Sequence, residues 1–324
     1  MTNKKLQILI TQYNETDDVI KPMLDSISFQ QKINFDDLEV IIYNDGSKVR
    51  LSRKLLKSYP YKIHYYVGEV NKGVALARQI LYKLSSAPYI MYCDADDSFY
   101  TVFSLLDIFK EIEKGFDVLI TDFYEEVVDP NGYEILVKHT CDKVFIHGKV
   151  FRRSFLECEN IHWVNICPSE DNYYVKLSLS LSSDTKYIEL PLYLWKWRGD
   201  SIVRKDKEKW QLKNFPRGVE SEMLLIEELK KRKKDGNANY FIALEMYSIY
   251  FSLNRDIWRD KTNHPFLLDA LLTARDFYKR YKDIWKEIPL EDKLSIFEAN
   301  VGKQKARGFI DDVDIEEWIK RTLE

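Results

Sequence analysis

An α/β layered domain on a mixed, mainly parallel sheet, followed by an α-helical C-terminal domain, is the architecture this sequence predicts. Three observations carry it. Over the first two hundred residues, short apolar runs alternate with 3.6-periodic segments, and the runs end in polar residues. From Lys205 onward β-branched runs become scarce and long amphipathic segments take over. The 324 residues are enough for two domains at roughly 100–200 residues each. The expected division is 1–204 and 205–324.

The elements follow in order. Leu6–Ile10, Leu38–Tyr43, Tyr61–Val67 and Tyr89–Cys93 read as strands. Asp17 and Asp18 open a helix over about 18–29, where acids suit the N-terminal dipole. Asp117–Thr121 reads as a further central strand, and Asp129-Pro130-Asn131-Gly132 as the turn of a hairpin spanning about 122–138. Helical stretches are expected near 149–157 and 170–181. A strand over Tyr187–Trp197 is interrupted by Pro191, which cannot donate to a ladder. Val219–Lys234, Tyr240–Asn254, Phe266–Trp285 and Ile315–Leu323 then read as amphipathic helices, with no solenoid repeat or low-complexity tract among them.

Composition excludes several classes. With 45% apolar and 31% charged residues the chain is globular rather than disordered or fibrous. Lys plus Arg number 49 against 52 Asp plus Glu, a net charge of −3, which disfavours a globally basic nucleic-acid binder while allowing a local basic face. Cys93, Cys141, Cys158 and Cys167 form no CxxC pair, so neither a zinc knuckle nor a redox motif is indicated; they read as reduced thiols in a cytoplasmic protein. There is no transmembrane segment, since no run of 18 apolar residues exists, and the N-terminus lacks a signal h-region. Membrane association is therefore expected to be peripheral, at the inner face.

The chemistry concentrates where strands end. Asp94-Ala95-Asp96-Asp97 directly follows the fourth strand, and carboxylates at i and i+2 on such a loop can converge on one divalent cation. Asp312-Val313-Asp314 has the same spacing but stands at a helix start, where acids suit the dipole. Asn44-Asp45-Gly46-Ser47 after the second strand is by composition a turn. Asn71-Lys72-Gly73 leads into a helix carrying Arg78, whose guanidinium suits phosphate or carboxylate. Ser169-Glu170-Asp171 by itself reads as the cap and acidic first turn of a helix. His147 and His162 are possible metal ligands, although neither lies in a ligand pair and structural roles are favoured. Trp195 and Trp197 share a strand face, suited equally to core packing and to stacking on a ligand ring. The run Lys230-Lys231-Arg232-Lys233-Lys234 reads first as a solvated helix C-terminus.

Taken together, Ile8-Leu9-Ile10-Thr11-Gln12-Tyr13-Asn14-Glu15, Val40 to Ser47, Asn71 to Arg78 and Ala87 to Asp97 resemble, in order and spacing, the nucleotide-sugar-binding half of family-two inverting glycosyltransferases with the Rossmann-like GT-A fold. The resemblance continues through Ile146 to Arg153, Ser169-Glu170-Asp171 and Trp195 to Ile202, and covers about residues 5–204. It implies that Tyr13, Glu15 and Asp45 hold the nucleoside and that Arg78 lies near the base and diphosphate. Asp94 and Asp96 form the DxD pair that binds Mn²⁺ or Mg²⁺ with the donor, and Asp171 is the general base. Three departures stand out. Asn44 replaces the first of a usual Asp pair, Gln79 and Ile80 follow the Arg where Asn and a small residue are common, and the segment typical of processive synthases is missing. The last points to single-sugar transfer.

The function so implied is metal-dependent, inverting transfer of one sugar from a nucleotide-diphosphate donor, UDP-linked, to an acceptor hydroxyl. The acceptor would be a surface glycan or lipid-linked saccharide. Two other readings stay open. One is glycosylation of a modified DNA base, which the Lys230–Lys234 run and Lys205–Lys209 with Trp210 would permit. The other is a non-catalytic sugar-nucleotide or glycan-binding module. The helical domain is assigned to acceptor binding or homo-oligomer formation.

Overall fold

A computed structural model describes residues 4–129, 131–198, 207–255 and 266–324. The chain divides into two compact units, Met1–Ser201 and Ile202–Glu324.

The first unit is built on one nine-stranded sheet: β1 (Leu6–Gln12), β2 (Leu38–Asn44), β3 (Lys62–Val67), β4 (Tyr89–Asp94), β5 (Ser98–Phe99), β6 (Val118–Val128), β7 (Glu134–His139), β8 (Lys149–Arg152) and β9 (Thr185–Trp195), in the order β3-β2-β1-β4-β8-β6-β9-β5, with β7 on β6. The long ladders β1–β2, β1–β4, β2–β3 and β6–β9 are parallel, and β8 runs antiparallel between β4 and β6. Strands β1, β2 and β4 are apolar along most of their length because both sheet faces are covered. Helix α1 (Asp17–Ser28) supplies part of that cover, burying Ile20, Met23, Leu24 and Ile27 at helical spacing. The short α2 (Arg53–Leu56) follows β2, α3 (Val74–Leu84) follows β3, and α4 (Ser104–Lys114) precedes β6. Helices α5 (Arg153–Cys158) and α6 (Glu170–Leu181) lie between β8 and β9.

Parallel pairing decides where the site forms. Gln12 is in register with Asn44 and Thr11 with Asp94, so the residues that follow β1, β2 and β4 emerge at one edge of the sheet.

The expected hairpin forms, with Phe123 opposite His139 and Val128 opposite Glu134. Its turn is closed by the Asp129 carboxylate accepting from Asn131 N at 2.9 Å and Tyr133 N at 2.8 Å, while Pro130 lies outside the described residues. The β6–β9 register shifts next to Pro191, as a residue without an N–H requires. One expectation is corrected. Residues 149–152 are not helical but form strand β8, with the helix confined to Arg153–Cys158. Val150 and Phe151 are both fully buried because β8 is sandwiched in mid-sheet, and a short apolar run buried on both faces carries no period that separates strand from helix.

The second unit is helical: α7 (Lys207–Lys231), α8 (Asp235–Leu253), α9 (Leu267–Glu287), α10 (Leu290–Lys305) and α11 (Ile315–Thr322). Helix α8 is central, packing on the other four and burying Phe241, Ile242, Met246 and Tyr250. Asp314 caps α11, its carboxylate accepting from Glu317 N at 3.0 Å, so the second Asp-x-Asp sequence does open a helix. Helix α10 has no counterpart among the sequence expectations. Residues 199–206 lie outside the described residues, and with them the start of the Lys205–Lys209 run and the end of the Trp195–Ile202 segment.

Candidate active site

The site is organised around Arg78. It lies on the buried face of α3 beside Ala75, Ala77 and Leu81, a position where an unpaired charge would be untenable. Its Nη2 donates to Asp94 Oδ1 at 3.0 Å, its Nη1 donates to Asp171 Oδ1, and Glu170 Oε1 lies 3.5 Å from Nη1. The guanidinium also stacks over Trp163, 4.9 Å from the ring centroid. Burial works against its charge, but Asp171, Asp94 and Glu170 outweigh burial and hold its pKa above the ordinary value. The opposite balance holds at Glu170, where burial and the neighbouring Asp171 push the carboxyl up to about 7.

Two departures from the family pattern have structural explanations here. Gln79 Oε1 accepts from Trp163 N at 3.0 Å and so seats the indole that covers Arg78. Asn44 is buried, and its Nδ2 donates to Gln12 Oε1 at 2.7 Å and Val49 O at 2.8 Å; an ionised Asp there could not donate. Asp45 is also buried, its carboxylate accepting from Lys72 N at 3.0 Å and Gly73 N at 2.8 Å, so it anchors the turn from which α3 starts.

After β4 the chain makes a tight turn with Asp97 N reaching Asp94 O at 3.4 Å. A turn brings its first and fourth residues together. The carboxylates of Asp94 and Asp97 and the imidazole of His147 consequently offer ligand atoms that all lie within 4.8 Å of one another. His147 Nδ1 is buried without a hydrogen-bond partner, 3.8 Å from Asp97 Oδ2. Two carboxylates and an orphaned imidazole nitrogen are a donor set suited to a divalent cation. Tyr193 Oη donates to Asp97 Oδ2 at 2.6 Å and Lys196 N to Oδ1 at 3.0 Å; burial, then Asp94 and Asp96, push this carboxyl well up. Asp96, paired with Asp94 in the sequence motif, is partly buried like Asp94, and Arg198 Nη1 donates to its Oδ2 at 3.1 Å. Glu15 accepts from Tyr13 N, and burial raises its pKa, with Asp96 contributing. Tyr13 is half exposed.

The segment before β8 completes the site. Lys149 is fully buried, with Nζ 3.3 Å from His147 O and 3.6 Å from Asp142 Oδ1, and Asp142 in turn accepts from Val144 N at 2.9 Å and Phe145 N at 2.7 Å. From the loop so held, Ile146 N donates to Asp171 Oδ2 at 3.2 Å. His147 packs among Tyr193, Trp195 and Phe123, with ring centroids 5.1–5.4 Å away, and burial pulls its pKa below the ordinary value.

Of the residues expected from the sequence, Arg78, Asp94 and Asp171 meet directly, Glu15 and Asp96 border them with Arg198, Asp45 supports α3, and Tyr13 lies at the rim. Ser169 precedes α6 without a side-chain cap bond, whereas Glu170 and Asp171 occupy its first turn. His162 is exposed and bonded to Asn160, outside the metal-type group. Trp195 packs on His147, whereas Trp197 is 39% exposed, so the two indoles have separate fates. Asp97, Trp163, Lys149 and Tyr193 are the residues that sequence reasoning missed. The i, i+3 spacing of Asp94 and Asp97 across a turn was the one signal that could have found any of them.

Residues 7–163 match the family described as Glycosyl transferase family 2. The chain is 23% identical over 236 residues to Glycosyltransferase GlyA of Streptococcus pneumoniae, an alignment covering 65% of this chain and 33% of that protein. It is 36% identical over 96 residues to the Teichoic acid poly(glycerol phosphate) polymerase of Staphylococcus epidermidis, covering 29% of this chain and 13% of that one. The chain thus spans a third or less of these relatives. Among solved structures, S. aureus TarS 1-349 in complex with UDP-GlcNAc superposes with a TM-score of 0.61 at 16% identity, covering 93% of this chain and 92% of that one. That likeness shows the shared GT-A fold.

Proposed function

We propose that this chain, whose residues 7–163 match glycosyl transferase family 2, is a glycosyltransferase that transfers one sugar, with inversion, from a UDP-linked donor to an acceptor hydroxyl of a surface glycan or lipid-linked saccharide. The observation that carries this reading is the convergence of Asp94 and Asp171 on the Arg78 guanidinium, which links the strand-end turn to the first turn of α6. The UDP-GlcNAc held by TarS supports a UDP-linked donor, and the teichoic acid polymerase supports a surface polymer as acceptor.

In this reading Tyr13, Glu15 and Asp45, at the ends of β1 and β2, receive the nucleoside. Asp94, Asp97 and His147 would hold a divalent cation, with Asp96 and Arg198 beside the diphosphate. Held there, a cation would neutralise charge on the leaving nucleoside diphosphate. Asp171 takes the acceptor proton as the hydroxyl attacks opposite the leaving group. Its two oxygens are oriented by Arg78 and Ile146 N–H, which leaves lone pairs for that proton.

Asp171→Asn tests the assignment. Turnover should fall about 10²–10⁴-fold while UDP-sugar binding, measured by calorimetry, stays within a few-fold. Unchanged turnover would remove Asp171 as the base, and if wild type also lacked turnover with every UDP-sugar, a binding module would take its place.

A further inference from the structure

The most conspicuous cationic run in the sequence is partly engaged by the fold. Lys230 Nζ lies 4.8 Å from the Tyr281 ring centroid, and Lys231 and Arg232 pair with Glu228. A second cationic feature appears only once α9 is packed. This helix buries Ala270, Ala274, Phe277, Tyr281 and Trp285. At about 100° per residue, Leu268, Leu272, Arg275, Lys279, Lys282 and Lys286 all fall within an arc of roughly 80° on the outward side. All six are exposed, Leu268 by 63% and Leu272 by 53%. The acids of the helix, Asp269, Asp276, Asp283 and Glu287, are exposed too and occupy the adjoining arc of about 40°, beginning roughly 20° past Leu272. Among the described residues, Lys279, Lys282 and Lys286 make no ion pair, although helix surfaces commonly pair charges at i, i+4. Arg275 Nε donates to Thr322 O at 3.0 Å, which fixes the start of the cationic row against α11.

We infer that this stripe docks the protein on an anionic lipid bilayer, with α9 lying in the plane of the interface, its four cations at the lipid phosphates and Leu268 and Leu272 entering the headgroup–acyl boundary. Charge complementarity calls for a polyanionic partner, and the leucines choose among polyanions. Aliphatic side chains gain nothing from a soluble phosphate polymer or a nucleic acid backbone but leave water on entering a bilayer. Lys and Arg have stems long enough to reach the lipid phosphates from a helix whose axis stays outside the headgroups. A second copy seated on the same face would bring Lys279 and Lys282 against their own equivalents across a two-fold axis, which opposes pairing. Each cation held near an anionic surface strengthens binding about five-fold at physiological salt.

The test is co-sedimentation of the full chain with phosphatidylcholine vesicles, with and without phosphatidylglycerol, at low and high salt. Binding is expected only with phosphatidylglycerol and should be lost at high salt. The double variant Lys279→Glu/Lys282→Glu should weaken it ten-fold or more, and Leu268→Ser/Leu272→Ser several-fold, both with wild-type melting temperatures because all four positions are exposed. Sugar transfer to a soluble acceptor should be unchanged in both, so failure of this inference is distinguishable from failure of the proposed activity. No binding to anionic vesicles, or binding indifferent to both variants, overturns the inference. So does capture of soluble polyphosphate that survives Leu268→Ser/Leu272→Ser in the absence of vesicle binding, which would mark a polymer site. Loss of concentration-dependent self-association in these variants, without vesicle binding by wild type, would mark a subunit interface instead.

Discussion

Arg78 shows how one buried cation sets the behaviour of three acids. Asp94 and Asp171 take its direct hydrogen bonds, and burial of Asp94 is outweighed by Arg78, so that carboxyl is held below its usual range. Glu170 is left farther out and rises to about 7 from 4.5. A carboxyl whose folded pKa exceeds its unfolded value favours folding below the unfolded pKa, and the benefit is lost as pH rises through the folded one. Burial shifts Asp97 in the same direction. The metal-free protein should therefore melt lower as pH rises from about 5 to about 8. Glu170→Gln should flatten that slope and recover stability of order 1–3 kcal/mol at the upper end. Melting curves across this range decide it, and a variant whose slope parallels wild type would show that Glu170 is not the titrating group. At this scale the sequence named Arg78, Asp94 and Asp171 because each sits in a motif of recognisable spacing. It did not name Asp97, whose approach to Asp94 depends on the turn, or the role of His147, whose orphaned nitrogen is visible only once Phe123, Tyr193 and Trp195 enclose it.

Among elements, the turns after β2 and β3 are the most tightly constrained. Gly46 has φ +69°, and a Cβ built there would stand 2.2 Å from the Val70 carbonyl carbon and 2.5 Å from Asn71 N. Backbone cannot yield as a side chain would, so the Asp45 turn and the turn leading to α3 can lie together only with glycine at this position. Gly132 in the β6–β7 hairpin has φ +88° with open space around it. Gly132→Ala should cost about 1 kcal/mol, for backbone strain alone, and Gly46→Ala about 2–4 kcal/mol with weakened UDP binding. Urea midpoints for the pair separate the two contributions, and equal losses would mean that the contact with Val70 relaxes without cost. Most strands and helices were legible from period and length. Strand β8 was not, because four residues buried on both faces read equally as a helix turn. The Asn44 departure was legible as a change of chemistry but not of purpose, since the acceptors that require an amide there come from Gln12 and Val49.

For the molecule as a whole, the sharpest expectation concerns ligand-linked stability. UDP at about 100 times its Kd adds ~2.7 kcal/mol to whatever folds around its site, and Mn²⁺ or Mg²⁺ should enlarge the shift. His147→Ala should keep the metal-independent part of the UDP shift and lose the part that chelator removes. A shift unaffected by chelator in wild type would sink the role of Asp94, Asp97 and His147 as a cation site. What this sequence determined by itself was the alternation of strands and helices and the kinds of group that follow the strands, because period, turn chemistry and spacing are local properties written within a few residues. Tertiary structure alone decided that Arg78 and Asp171, 93 residues apart, share a hydrogen bond, that Asp97 rather than Asp96 faces His147, and that α9 leaves a row of cations to solvent. Each of these depends on which surfaces pack together, and the free energy of packing is a property of the folded chain, not of any segment in it.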